Sequence, residues 1–569
     1  MALKADKNWW RQAAIYQIYP RSFKDSNGDG IGDLKGITAK ADYLKSLSLD
    51  AVWLSPFYPS ELADGGYDVA NYRDVDPKLG TLKDFDEMLK ALHARGIRVF
   101  VDIVPNHSSD QHPWFQEALA AKPGSKARER YIFRDGRGKN GDLPPNDWVS
   151  HFAPSAWTRT TNPDGTPGQW YLHLFAPEQP DFNWDNREVE LDFLKTLKFW
   201  SDRGVDGFRI DVAHALKKDM SKLNKSYPKI DSFAITDRGT DILFDRNEVH
   251  EVYREWRKLF DQYNPPRVAV AEAYVKASRR MLYARPDELG QAFNFDLLVA
   301  PYEAKVFKKT IVENLKLAAS EGSSSTWVLN NHDQVRTATK YGLPKGTDYN
   351  QWLLSDGKDI PLNRALGLKR ARAASLLIMA LPGCTYIYQG EELGLFEVED
   401  LKHEDLQDPN WIRNVVVKRQ KVFFKKAGKN VNGVAVIHTE KGRDGCRVPL
   451  PWTTKGSSFG FGTAHAHLPQ PRWFADFAVD VQSAAKDSTL DIYRKALAAR
   501  RKHQTTEDVE WISTKNPEVI HFKRSNGWHC IMNFSGEPYA LPKGEVLVAS
   551  TPFTGRKLPK DTCVWIKTA

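Results

Sequence analysis

Cysteine is scarce in this chain: Cys384, Cys446, Cys530 and Cys563 are the only four among 569 residues. They form no Cys-x-x-Cys pair and no histidine cluster accompanies them, so neither a zinc site nor a disulfide framework is indicated, and reduced thiols are the default. Long apolar runs are missing too. No stretch approaches the roughly 20 residues needed to span a bilayer, and the opening Met-Ala-Leu-Lys-Ala-Asp-Lys-Asn-Trp-Trp lacks the apolar core of a signal peptide. A cytoplasmic protein with no membrane partner is expected. Neither sign of charge dominates: Lys and Arg number 81 against 72 Asp and Glu, a net +9. The two signs are interspersed, which argues against a nucleic-acid partner. The densest basic stretch, 417–421 with Lys425 and Lys426, reads as a solvated loop. Tandem repeats and low-complexity segments are also lacking.

What the sequence does have is alternation. At this length two or three domains are expected, and short runs rich in Val, Ile and Tyr recur, each followed by a polar or Gly/Pro cluster and an amphipathic stretch. That is the pattern of βα units. The strand candidates are Ile15–Tyr19, Ala51–Leu54, Val99–Ile103, Gly207–Ile210, Val268–Ala271, Ala292–Phe295, Thr326–Leu329 and Thr385–Tyr388. Eight strands predict an α/β fold, a (β/α)8 TIM barrel, whose open face lies at the strands' carboxyl ends. Two excursions interrupt the alternation. The stretch from Asn106 to Trp184, with Pro144, Pro145, Pro163 and Pro167, is too long for an ordinary loop and reads as a small inserted domain after the third strand. The second, from about Leu393 to Asp487, precedes a helix expected at Leu490–Arg501. Alternating runs beyond His503 read as a C-terminal antiparallel β domain. The expected division is therefore 1–105 and 185–503 for the barrel, 106–184 for the insert and 504–569 for the last domain.

Three acids follow strand-like runs: Asp211 ends Gly207-Phe-Arg-Ile-Asp, Glu272 follows Val268-Ala-Val-Ala, and Asp333 follows Val328-Leu-Asn-Asn-His. Carboxylates gathered from different strand ends supply the equipment of acetal cleavage. Arg209 and Asp211, two apart on one strand, face the same way. The guanidinium is expected to lower the Asp211 pKa, as suits a nucleophile, while the apolar setting of Glu272 suits a general acid.

With these motifs in place, the chain resembles the α-amylase family of glycoside hydrolases, family 13, in its oligo-1,6-glucosidase and α-glucosidase branch, over nearly its whole length. Asp102-Ile-Val-Pro-Asn-His107, Gly207-Phe-Arg-Ile-Asp211, Glu272 and Asn331-His-Asp333 match its four conserved regions, and Gln179-Pro-Asp-Phe-Asn-Trp184 matches the segment closing the inserted domain. The resemblance implies Asp211 as nucleophile, Glu272 as acid/base and Asp333 as transition-state stabiliser. It also implies that Arg209, His107 and His332 contact the glucosyl unit, and that Tyr67, Phe152, Phe175 and Gln179 line its pocket. Asp64-Gly-Gly-Tyr67 resembles the pocket-closing segment, and Arg447 the arginine that pairs with Asp64 beyond one glucose unit. An exo-acting, retaining α-glucosidase acting on small α-glucosides is implied, without an organic cofactor.

In Asp25-Ser-Asn27-Gly-Asp29-Gly-Ile31-Gly-Asp33, oxygen donors alternate with glycines much as in an EF-hand loop. Calcium, or magnesium in its place, is expected there as a structural ion on Asp25, Asn27, Asp29, the Ile31 carbonyl and Asp33. Other readings stay open. A sugar acceptor in place of water makes a transglucosidase, a sucrose isomerase or a trehalose synthase, although no Arg-Leu-Asp-Arg-Asp stretch of the isomerase kind lies between Glu272 and His332. Val212 after the nucleophile accompanies α-1,6 tolerance in this branch, yet Ala213-His214 departs from its usual continuation, leaving the preferred linkage open. A non-catalytic barrel serving as a binding module is the alternative of a different class.

Overall fold

Burial on both faces explains why the barrel strands read as near-continuous apolar runs. The protein is described from a computed structural model covering residues 6–152, 155–227, 235–424, 429–504 and 506–568. Its central sheet consists of β1 (Ala14–Ile18), β2 (Ala51–Leu54), β3 (Arg98–Ile103), β4 (Gly207–Ile210), β5 (Val268–Ala271), β6 (Gly290–Ala292), β7 (Thr326–Val328) and β8 (Cys384–Tyr388), every residue of them buried. Neighbours pair in parallel in that order, and β8 returns to β1. Between β6 and β7 the ring closes through one parallel bridge, Asn294 with Trp327, where the Asn294 N–H donates to the Thr326 carbonyl at 3.1 Å.

Side-chain alternation then decides what points where. Ile15, Ala51, Trp53, Phe100, Val268, Val270, Val328 and Tyr386 form one core inside the barrel. Their sequence neighbours Tyr16, Val52, Val99, Val101, Phe208, Ile210 and Ala269 face the surrounding helices. Continuing the inward parity by one step brings Gln17, Asp102, Arg209 and Glu272 to the carboxyl-end mouth. The helices keep their own period. In Leu82–Ala94, Thr81 and Asp84 form a capping box, and Phe85, Met88, Leu89 and Leu92 make the buried stripe.

Between β3 and β4 lies a three-stranded antiparallel sheet of Phe133–Arg134, Pro167–Leu172 and Trp157–Thr161, tied to the barrel mouth by a bridge between His107 and Asp181. After the helix Thr489–His503 comes a five-stranded antiparallel sheet of Glu510–Trp511, Val519–Arg524, Trp528–Asn533, Thr562–Lys567 and Glu545–Ala549. It packs on the helix Arg364–Ala380, where the Trp565 indole donates to the Leu376 carbonyl at 3.0 Å. Among the described residues no helix is long and apolar enough to cross a membrane.

Two expectations change. The sixth strand ends at Ala292 instead of running from Ala292 to Phe295, because the Asn294 side chain accepts from the Leu297 N–H and caps a helical turn, Phe295–Leu298. The basic stretch at 417–421 is no loop: it lies in a strand, Val415–Phe424, paired antiparallel with Lys429–His438. Lys425 and Lys426 lie outside the described residues.

Candidate active site

One guanidinium organises the floor of the barrel mouth. Arg209 Nη1 donates to Asp211 Oδ1 at 2.6 Å and to Asp102 Oδ1 at 2.9 Å, and its Nη2 reaches Glu272 Oε2 at 2.7 Å. The register supplies the convergence, since Asp102 pairs with Arg209 across β3 and β4, and Arg209 with Val270 across β4 and β5. Immediately after the nucleophile candidate, Val212 adopts φ +42°. That left-handed region costs a β-branched residue about 1–3 kcal/mol. The bend aims the Val212 N–H at Glu272 Oε2, 3.1 Å away, while the Ala213 N–H donates to the Glu272 carbonyl at 2.9 Å.

Electrostatics departs from the expectation drawn from the Arg209–Asp211 pair. Burial pushes the Asp211 carboxyl well above its usual range, and Glu272 and Asp102 add to the rise against the pull of Arg209. Burial is the larger cause, and the crowding of carboxyls around one cation adds to it. The two carboxyls are brought side by side by the guanidinium they share.

Asp333 faces this pair in the opposite electrostatic state. Burial opposes its ionisation, but the neighbouring His332 ring, Arg443 and Arg447 outweigh it and hold the carboxyl below its usual range. His332 is itself driven down to about 3, chiefly by burial, so the lasting positive charge comes from the arginines. Arg443 Nη1 and Arg447 Nη2 contact Asp333 Oδ1 at 3.0 and 2.9 Å. Here the expected pairing is corrected. The partner of Asp64 is Arg443, at 2.6 Å, whereas Arg447 pairs with Asp333 and donates from Nε to the His332 carbonyl at 2.9 Å. The two arginines stand one helical turn apart in Asp444–Arg447 and its preceding residue, and only the first faces Asp64.

The remaining wall is aromatic and polar. The Tyr67 hydroxyl lies 2.6 Å from His332 Nε2 and 3.1 Å from Asp102 Oδ2, and the Gln17 amide fixes the other ring nitrogen of His332 at 2.7 Å. Gln179 Nε2 sits 3.0 Å from His107 Nε2 and 3.3 Å from Asp64 Oδ2. Burial lowers His107 to about 4, leaving a neutral imidazole. The Phe175 ring packs against those of His107 and Phe152, and the Arg443 guanidinium lies 5.2 Å from the Phe152 ring centre. The three acids, Arg209 and all the pocket residues expected from the sequence thus meet at one mouth.

The α-amylase catalytic-domain model matches residues 17–508. The chain is 35% identical to an oligo-1,6-glucosidase of Parageobacillus thermoglucosidasius over 540 residues, which is 92% of this chain and 89% of that protein. It is also 35% identical to a probable alpha-glucosidase of Rhizobium meliloti over 559 residues, 94% and 91% of the two chains. The crystal structure of the trehalulose synthase of Pseudomonas mesoacidophila superposes with a TM-score of 0.78 at 29% identity, covering 98% of this chain and 99% of that one. The chain belongs to the α-amylase family, and it is a glycoside hydrolase. Within this family member, sequence reasoning missed Asp102, Arg443 and Asp408. Asp102 was visible as the inward-facing residue of β3, and Arg443 as the second arginine of Arg443-Asp-Gly-Cys-Arg447. Asp408, which accepts from Arg443 Nε at 2.5 Å, stands in no motif that marks it.

The loop at 25–33 lies away from these acids. Asp25 accepts from the N–H groups of Asn27, Gly28 and Gly30, Asp29 from that of Ile31 and from the Asn27 amide, and Asp33 from Ser26 and, as a helix cap, from Gly36. The donors are the hard oxygens a calcium ion takes. As arranged, however, the carboxylates are turned to backbone amides, and among the described residues no three His, Cys, Asp or Glu side chains converge to hold a cation.

Proposed function

We propose that this glycoside hydrolase is a retaining, exo-acting α-glucosidase that releases glucose from the non-reducing end of short α-glucosides of the maltose or isomaltose kind. The observation carrying this reading is the Arg209 guanidinium that holds Asp211 and Glu272 at 2.6 and 2.7 Å. Carboxyls that close suit the roughly 5–5.5 Å spacing of a nucleophile and an acid/base better than the wider inverting one. In the first step an Asp211 oxygen bonds the anomeric carbon as the bond to the leaving oxygen breaks, and Glu272 hands that oxygen its proton. In the second, Glu272 takes a proton from water, whose oxygen displaces Asp211 and frees glucose with its configuration kept. Asp333, held ionised, stabilises the positive charge that develops on the sugar. The Asp64–Arg443 pair supports exo action, since it would cap the pocket beyond one sugar ring.

A transglucosidase or sugar isomerase is the second reading, favoured by the full-length likeness to a trehalulose synthase. An acceptor sugar then replaces water in the second step. Product time courses on maltose, isomaltose, sucrose and trehalose separate the two. Free glucose of retained anomeric form supports hydrolysis, whereas new disaccharides as the main product, or an inverted anomer, refute it. We also propose calcium, or magnesium, as a structural ion at 25–33, with the carboxylates turning from backbone amides to the ion. A chelator is expected to lower the thermal midpoint and calcium to restore it; a midpoint indifferent to both rejects this site.

A further inference from the structure

Behind the wall that carries Asp64 lies a half-open cavity of about 280 Å³. Arg21 lines it and is only 8% exposed. Arg209, Arg443 and Arg447 all have carboxylates, but the Arg21 guanidinium takes no hydrogen bond, ion pair or ring contact among the described residues. None of its nitrogens is both sealed from solvent and partnerless, so the fork opens onto the cavity, where an oxyanion can take both prongs. The rest of the lining leaves that charge unmatched. Arg447 is spent on Asp333 and Asp408. Asp444 accepts from the N–H groups of Gln407 and Asp408 at 2.7 and 2.9 Å, and burial, with Asp408 beside it, raises its carboxyl. His467 is kept neutral by burial and by the charge of Arg21, and its ring lies 3.0 Å from the Ser22 hydroxyl and 3.4 Å from Gln407 Oε1.

We propose that this cavity binds a small oxyanion, a phosphate or carboxylate group taken two-pronged by the Arg21 fork, with Gln407 and His467 available to its remaining oxygens. The planar guanidinium matches both groups and chloride poorly. The volume equals about nine waters at liquid density, so the anion has room for a small organic substituent. The site is distinct from the catalytic pocket: none of the three acids lines it. Arg447 is common to both, which places the bound anion one residue away from Asp333.

Calorimetric titration of the full chain tests this, with inorganic phosphate in one arm, acetate in another, and chloride holding the ionic strength constant. Saturable heat at one site per chain is expected in at least one oxyanion arm. Phosphate alone identifies a phosphate-type ligand, and acetate alone a carboxylate. Arg21→Met should weaken binding about tenfold or more and leave turnover of a chromogenic α-glucoside unchanged, while Arg21→Lys keeps the charge, loses the fork and falls between. Equal binding by wild type and Arg21→Met overturns the proposal. So does a wild-type thermal midpoint that rises no more with phosphate or acetate than with chloride, a measurement that needs no variant to fold.

Discussion

Replacing Arg443 by glutamine removes one guanidinium from three carboxylates, Asp64, Asp333 and Asp408, which it holds at 2.6, 3.0 and 2.5 Å. Stranding a buried charge costs about 3–5 kcal/mol, yet the three acids are left in different positions. Asp333 keeps Arg447 at 2.9 Å. Asp408 keeps Arg447 at 3.7 Å and the Asn410 and Arg443 backbone N–H groups. Among the described residues Asp64 retains only the Gln179 amide at 3.3 Å, and it is 5% exposed. The loss is therefore expected at the low end, about 3 kcal/mol, most of it from Asp64. Adding Asp64→Asn deletes the stranded charge, so the double variant should recover a coupling of about 1–3 kcal/mol. Thermal midpoints of the wild type, both single variants and the double variant, taken at one scan rate, form the cycle. Arg447→Gln in the same cycle should couple to Asp64 weakly. Additive effects of Arg443→Gln and Asp64→Asn, or stronger coupling through Arg447, refute the pairing.

Glu272→Gln should slow glucoside turnover by about 10²–10⁴, with the smallest loss on nitrophenyl glucosides, whose leaving group needs no proton; equal losses on maltose and nitrophenyl substrates contradict its role as acid. Because burial and the neighbouring acids raise Asp211 and the proposed attack needs its ionised form, kcat/KM should fall with decreasing pH through a value above the ordinary Asp range of about 3.9. Asp102→Asn, which removes one of those acids, should move that limb to lower pH, and an unmoved limb tells against the shared cluster. Burial raises Glu397 to about 7. Its neutral form favours the fold, so that stability is present in full below about pH 4.3 and is lost as pH rises through 7, at most about 3–4 kcal/mol. Glu397→Gln can still accept from the Arg336 N–H and should flatten the decline in thermal midpoint between about pH 5 and 7; an unchanged slope removes Glu397 as its source.

Much of this arrangement was legible before any coordinates. The strands β2, β4 and β5 are legible to the residue because each apolar run stops at a polar residue, Ser55, Asp211 or Glu272. Strand β6 was misplaced because Phe293-Asn-Phe295 looks continuous with it, and only the reach of the Asn294 oxygen to Leu297 turns the chain into a helix. The partner of Asp64 was misread for a similar reason. Arg443 and Arg447 are equally basic and one turn apart, and which of them faces the pocket depends on how the segment after Asp408 is laid down. The Asp211 carboxyl was expected to be depressed because its neighbour in sequence is an arginine. Burial at the barrel mouth reverses the balance, and Asp102 and Glu272, which come from other strands, add to it; both are properties of convergence, not of local spacing.

The single bridge between Asn294 and Trp327 gives the barrel a seam. Elsewhere around the ring, adjacent strands share three or four registered residues, but here two strands of three residues meet at one point. If the ring breathes, it parts there first, and amide protons of Asn294 and Trp327 should exchange sooner than those of β2 or β3. Phe295, just past the seam, stacks at 4.3 Å on Tyr274, two residues beyond the acid Glu272. The least firmly stitched part of the scaffold is thus joined, through one ring contact, to the segment that carries Glu272.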